Sequence, residues 1–206
     1  MGRPRRHDLD GLLGHARALW VARGPAGVTI RGLGASSGAS NGALYHAFGS
    51  RDGLLARVWA LEAKAYLSLL EDRIDRARAD TGAIEALVAA ALTPAAFAES
   101  DPDGARLLLS TRTDELLTPR LDDEGRALLR GFHARLSGHL ADLADGLWGR
   151  RDDVAVTTVR HCVVTLPGAL LLRAEHLTDP VSLHVLDRAV RGAVSEPPPG
   201  PGRQAG

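Results

Sequence analysis

Apolar positions along this chain recur at the spacing of helix faces, and the reading is helical throughout. Leu9, Leu12, Leu13, Ala16, Leu19 and Trp20 fall on one face of a first helix, with Asp8 as its N-cap and Gly24-Pro25 as its stop. Thr29 caps a second, short helix through Ser36 that buries Ile30 and Leu33. Gly38 is the left-handed residue of a tight turn. Ser40 caps a third helix that ends at Phe48, before Gly49, with Leu44 and Phe48 turned inward. Ser50 caps a fourth, and Asp52 sits near its positive end. Three short helices with a tight glycine turn between the second and third make a helix-turn-helix unit.

The fourth helix is long: Leu54, Leu55, Val58, Leu61, Ala65, Leu69 and Ile74 keep helical spacing to about Arg78. Thr81 opens another, to about Ala98, kinked at Pro94. A short helix follows over 103–113. A long one then runs from about Pro119 to Trp148, with Leu121, Leu128, Leu129, Phe132, Leu136, Leu140, Leu143 and Leu147 as its stripe. Beyond a connection at 149–153 the pattern changes. Val159, Cys162, Val163, Val164, Leu166, Ala169, Leu170, Leu171 and Leu172 go almost all the way round one helix, which must then be covered on every side. Pro167-Gly168 breaks its regularity in mid-run. The last helix opens on Asp179-Pro180, an N-cap followed by proline at the first helical position, and carries Val181, Val185, Leu186, Ala189, Val190 and Val194. These two helices form a hairpin apolar enough to pair with its twin. Val159, Val163, Leu166, Leu170, Val185, Leu186 and Val190 are the candidate dimer contacts. The tail EPPPGPGRQAG (196–206) is expected to be disordered. The expected fold class is all-α. An N-terminal three-helix helix-turn-helix domain over 1–52 joins a C-terminal helical bundle over 53–195 for ligand sensing and dimerisation.

Composition narrows the setting. No apolar run approaches the ~20 residues of a membrane span. The stretch MGRPRRHDLDGLLGHARALW breaks into charge and glycine before any apolar core, unlike a signal peptide. A cytoplasmic protein with no membrane partner is the expectation. The single cysteine, Cys162, excludes an intrachain disulfide and argues against a Cys-based zinc site. It reads as a small buried apolar residue, with pairing across a dimer axis as the other reading. The formal net charge of zero hides an asymmetry. Residues 1–60 hold eight arginines against three aspartates, a net +5, and the remainder carries −5. A basic first quarter on an acidic body points to an anionic partner for that quarter.

In a helix-turn-helix the second helix of the motif lies in the major groove, while flanking helix N-termini and side chains grip phosphates. Phosphate contacts set register, and base-edge contacts set sequence choice. Ser40, Asn41, Gly42 and Ala43 open the recognition helix, small enough to bring the backbone close to DNA. Asn41 can reach a base edge or a phosphate. Arg31 offers a bidentate grip on guanine or a phosphate. Tyr45 and His46, one turn on, can donate to a phosphate oxygen. Ser50 and Arg51 open the fourth helix, whose positive end suits a phosphate, and Thr29 does the same for the second. Arg3, Arg5 and Arg6 form a basic arm able to reach a neighbouring groove or phosphate.

The stretch VTIRGLGASSGASNGALYHAFGSRDGLL (28–55) resembles the DNA-binding motif of the TetR family of bacterial transcriptional regulators, and LPGALLLR (166–173) is similar to the penultimate helix of those proteins. The resemblance implies an all-helical homodimer, a double-stranded DNA operator, an unknown small-molecule effector and a repressor released from DNA by that effector. It implies backbone contacts for Thr29, Tyr45 and Arg51, and variable specificity or backbone positions for Arg31, Ser40, Asn41 and His46. The chain departs from the pattern in places. Gly32 and Gly34 replace better helix formers, at ~1 kcal/mol each relative to Ala. Asn41 stands where lysine is frequent, and Ala47 offers no hydrogen bond.

A sensing pocket in a bundle lies between helices and is lined by apolar groups with a few polar ones. Trp59, Tyr66, Phe97, Arg106, Ser110, Phe132, His133, Leu136, His139, Trp148 and Thr165 are the candidates. His133 and His139 lack the i, i+4 spacing of a helical metal pair, so neither metal nor cofactor is expected. There is no Gly-rich phosphate loop, no His-Glu-x-x-His and no Gly-x-Ser-x-Gly elbow, so an enzyme is not expected. The competing reading is an architectural DNA binder that needs no ligand.

Overall fold

The computed structural model describes residues 6–109, 111–172 and 177–200, with side chains from Leu9 onward. The described residues form helices and connections only, with no strand among them. They group into two compact units. The first holds Met1–Lys64 and Arg106–Phe132, and the second holds Ala65–Ala105 and His133–Gly206.

In the first unit, α1 (Arg6–Arg23) begins at Arg6, two residues before the expected cap Asp8. A single 3-10 turn (Pro25–Gly27) leads to α2 (Ile30–Ser37) and then α3 (Asn41–Phe48). Leu13, Ala16 and Trp20 of α1, Ile30 and Leu33 of α2, and Leu44 and Phe48 of α3 are all buried. Each of the larger side chains, Ala16 aside, contributes about 1.5–3 kcal/mol on burial. The first half of α4 (Arg51–Thr81) adds Leu54, Leu55 and Val58 to this core. Arg17 of α1 is bound at 2.7 Å to Glu62 of α4, a carboxylate only 5% exposed. The 106–132 portion supplies part of α7 (Pro102–Leu109), all of α8 (Thr113–Leu116) and the start of α9 (Asp123–Trp148).

Gly34 was expected to weaken α2. A Cβ there would lie 3.1 Å from both the Ala39 carbonyl and Asn41 Oδ1, tighter than ordinary contact. The missing side chain therefore eases the close approach of α2 and α3, which a helix-propensity argument does not see.

Beyond the helix-turn-helix several expected boundaries move. Thr81 does not open a helix. Its hydroxyl bonds back to the Ala77 carbonyl at 2.8 Å as the last residue of α4, and Gly82, at φ 101°, ends that helix. The expected helix over 81–98 is two, α5 (Ala83–Ala91) and α6 (Thr93–Ser100), bent by 52° just before Pro94. The helix placed over 103–113 stops at Leu109, and α9 starts at Asp123 rather than Pro119, because Asp122 caps it through the Gly125 N–H at 2.8 Å. The penultimate helix is three pieces: α10 (Asp153–Arg160), a π-turn (His161–Thr165) and α11 (Leu166–Leu170). Pro167 has no N–H, and its ring crowds the carbonyl four residues back, so the helix widens just ahead of it. α5 packs against the π-turn and α12 (Pro180–Ala193), where Arg191 binds Glu85 and Asp187. Among the described residues no single helix is long and apolar enough to cross a membrane.

The tail was expected to be disordered from residue 196. Instead the Pro198 and Pro199 carbonyls accept hydrogen bonds from Arg150 at 2.8 and 3.0 Å, and Arg150 also forks onto Asp152, the N-cap of α10. Residues 201–206 lie outside the described residues.

Candidate nucleic-acid interface

Local chemistry sets the helix-turn-helix. Thr29 Oγ1 accepts from Gly32 N at 2.9 Å and caps α2, and Ser40 Oγ accepts from Ala43 N at 3.2 Å and caps α3. Between them Gly38 takes φ 74°, a left-handed conformation suited to glycine, and donates to the Gly34 carbonyl at 2.9 Å. Inside the elbow, Ser37 Oγ donates to the Leu33 carbonyl at 2.7 Å.

α3 divides cleanly. Leu44 and Phe48 are 0 and 1% exposed, while Tyr45, one position round, is 56% exposed. Asn41, Gly42, Ala43 and His46 share that exposure, as do Ser40 at its cap and Thr29 and Arg31 at the start of α2. These side chains cluster on an outward surface fed by two helix N-termini. Such a surface offers backbone N–H groups, hydroxyls, an amide, a phenol, an imidazole and a guanidinium to an anionic polymer.

Ser50 and Arg51 are placed differently. Ser50 Oγ accepts from Gly53 N at 3.0 Å and donates to the Arg120 carbonyl at 3.3 Å. Arg51 Nε donates to the Val28 carbonyl at 2.7 Å, and its Nη2 donates to the Pro25 carbonyl. Arg3 and Arg5 lie outside the described residues, and nothing is described of the Arg6 side chain.

The candidate sensing residues separate into two aromatic pairs. In the first unit Trp59 meets Phe132 edge to face at 5.0 Å, and the buried Trp59 indole N–H has no hydrogen-bond partner. In the second unit Tyr66 meets Phe97 edge to face at 5.7 Å, and burial pushes the Tyr66 phenol well above its usual range. Arg106 and His133 are exposed, and Leu136 and Trp148 are half-buried. Half-buried His139 shares a polar cleft of about 120 Å³ with Glu71, Asp75, Arg78 and Asp142. Thr165 is exposed, its hydroxyl 3.1 Å from His161 Nδ1. Ser110 lies outside the described residues.

Burial divides the expected dimer contacts. Val159, Val163, Leu186 and Val190 are 0–3% exposed within the protomer, so their side chains have no surface left for a partner. Leu166 and Leu170 are less deeply buried, and Val185 is 45% exposed. The apolar residues that do face outward here are Val164, Leu172, Val181 and Val185. Val164 shares the exposed face of Thr157, Arg160 and His161, opposite the buried stripe of Ala155, Val159, Cys162 and Val163.

Residues 12–58 match the sequence model described as bacterial regulatory proteins, tetR family. The fold is similar to three solved structures at low identity. One is the TetR-family transcriptional regulator PfmR from Thermus thermophilus, 18% identical, TM-score 0.61, covering 89% of this chain and 97% of that one. Another is the transcriptional regulator FadR from Bacillus subtilis in complex with stearoyl-CoA, 13% identical, TM-score 0.64, with 90% and 97% covered. The third is the multidrug binding protein EbrR complexed with imidazole, 17% identical, TM-score 0.66, with 97% and 98% covered. A sequence comparison with curated proteins finds no match.

Proposed function

We propose that this chain, which belongs to the tetR family through its residues 12–58, is a DNA-binding transcriptional repressor released from its operator by a small molecule. The observation that carries the reading is the outward surface of α3, where exposed Tyr45, Asn41 and His46 stand over buried Leu44 and Phe48 in the basic quarter of the chain. α3 enters the major groove. Thr29, Ser40 and Tyr45 hold phosphates, Arg31 and Asn41 address base edges, and Gly42 and Ala43 let the backbone approach. The protein acts in the cytoplasm as a homodimer, paired through the outward apolar face of the hairpin that carries Val164, Val181 and Val185.

Release is a coupling free energy between two sites. The two recognition helices of a dimer must sit ~34–36 Å apart, or a multiple of that, to read successive half-sites. An effector that binds better to a dimer with another separation lowers operator affinity by the ratio of its two affinities. FadR with stearoyl-CoA and EbrR with imidazole are small-molecule complexes of the same fold, which supports this reading over a ligand-independent architectural binder.

Gel shift on the DNA upstream of the gene, with excess random competitor, tests it. A preference of about a thousandfold or more is expected for an operator. Binding without preference would make the protein architectural. Compounds are then screened for release of the selected fragment.

A further inference from the structure

A serine and an arginine opening a helix directly after a recognition helix look like a phosphate grip. The structure engages both elsewhere. The fork of Arg51 spans two carbonyls, Pro25 and Val28, in the connection from α1 to α2. The next residue, Thr29, is the N-cap of α2. The clamp thus fixes where the start of α2 stands relative to the start of α4. A planar guanidinium suits this task, because its donors diverge at fixed angles, which an ammonium cannot reproduce.

The other side of the same turns is also bound. The Ser50 hydroxyl proton goes to the Arg120 carbonyl. Asp52 Oδ2 accepts from Thr118 Oγ1 at 2.6 Å. Arg57 donates to Asp122 at 3.0 Å, to Glu124 at 2.6 Å and to the Gly53 carbonyl at 2.9 Å. A Cβ on Gly53 would sit 2.3 Å from the Phe48 carbonyl, so the end of α3 and the start of α4 approach as closely as backbone allows. The guanidinium groups of Arg51 and Arg57, and that of Arg126 on the Thr118 carbonyl at 2.9 Å, are all engaged within the unit beside the carboxylates of Asp52, Asp122 and Glu124. By contrast no acceptor is assigned to the hydroxyl protons of Thr29 and Ser40, which cap α2 and α3.

We infer that the first two turns of α4 are an internal joint of the DNA-binding unit, in which Arg51 is a positioning residue and the segment 118–124 is a brace. DNA affinity then depends on residues far along the chain that never touch DNA. The inference rests on the DNA-binding reading above.

The test compares Arg51→Lys, Arg51→Gln and Thr118→Val with the parent. Affinity for a random-sequence duplex of about 30 bp is measured against salt concentration, at a temperature where circular dichroism shows every variant folded. Amide hydrogen exchange of α2 is followed alongside. For a joint, Arg51→Lys loses about as much affinity as Arg51→Gln, on the order of tenfold, because a charge-assisted clamp is broken in both. The salt slope stays as in the parent, Thr118→Val weakens binding in the same direction, and exchange in α2 speeds up in the arginine variants. For a phosphate contact, lysine rescues, Arg51→Gln lowers the slope by about 0.9, and α2 exchange is unchanged. That second set overturns the inference. If the parent itself binds no duplex, the DNA-binding reading fails, and the exchange measurement still decides the joint.

Discussion

Replacing Tyr45 by Phe removes one hydroxyl and nothing else. The side chain is 56% exposed and turned away from Leu44 and Phe48, so folding stability should move by less than about 0.5 kcal/mol. A hydrogen bond to a charged group contributes about 1.5–3 kcal/mol, and an exposed position argues for the lower end, near tenfold per recognition helix. Two such helices in a dimer act at separate places, so their losses add to about a hundredfold on a full site. The hydroxyl carries no charge, and the dependence of affinity on salt should keep its slope. Fluorescence anisotropy with labelled operator and random duplexes, over a series of salt concentrations, measures all of this. Equal losses on both duplexes are expected. A loss confined to the operator would place Tyr45 at a base edge, and no loss on either would remove it from the interface.

Other outcomes follow from the same geometry. Arg17→Met leaves the buried Glu62 carboxylate without its ion pair and should lower stability by about 3 kcal/mol in urea, whereas Arg17→Met with Glu62→Met should regain most of it. An undiminished single variant would refute the pairing argument. Val181→Asp with Val185→Asp should sediment as a folded monomer with weakened operator binding, and a persistent dimer would place the interface elsewhere. The Arg150 fork and the Ala155 N–H hold the Asp152 carboxyl at about 2 against its usual 3.8. A depressed carboxyl contributes stability above its unfolded value and loses it as pH falls through the folded one. The melting temperature should therefore drop between about pH 4 and pH 2, and less steeply in Asp152→Asn. Burial pushes the Cys162 thiol up to about 11, so a disulfide-exchange reagent should leave the native protein unlabelled and react at once in denaturant. Rapid native labelling would revive a redox role.

The helix-turn-helix was legible because its signals are local. Thr29, Ser40 and Ser50 cap the next helix within three residues, Gly38 has one task, and Leu44 and Phe48 part from Tyr45 by helix geometry alone. What escaped is long-range or ambiguous. Thr81-Gly82 can start a helix or end one, and only the carbonyl of Ala77 decides. The pairs of Arg57 with Asp122 and of Asp52 with Thr118 join residues more than sixty apart, and no pattern announces them. Pro167 signals a disturbance but not its form, a π-turn over 161–165. The aromatic candidates were visible as rare residues, but the partition into Trp59 with Phe132 and Tyr66 with Phe97 required tertiary packing.

The tight approach at Gly34 has an evolutionary consequence. Alanine there would press on the Ala39 carbonyl and on Asn41 Oδ1, each of which would have to give by a few tenths of an ångström. Glycine at 34 thus favours the present close approach of α2 and α3. On the proposed DNA-binding reading, a lineage that changes its target would do so through the exposed side chains at 31, 41 and 46 rather than through this elbow. Paralogues that diverge in target should vary at those positions and keep glycine at 34.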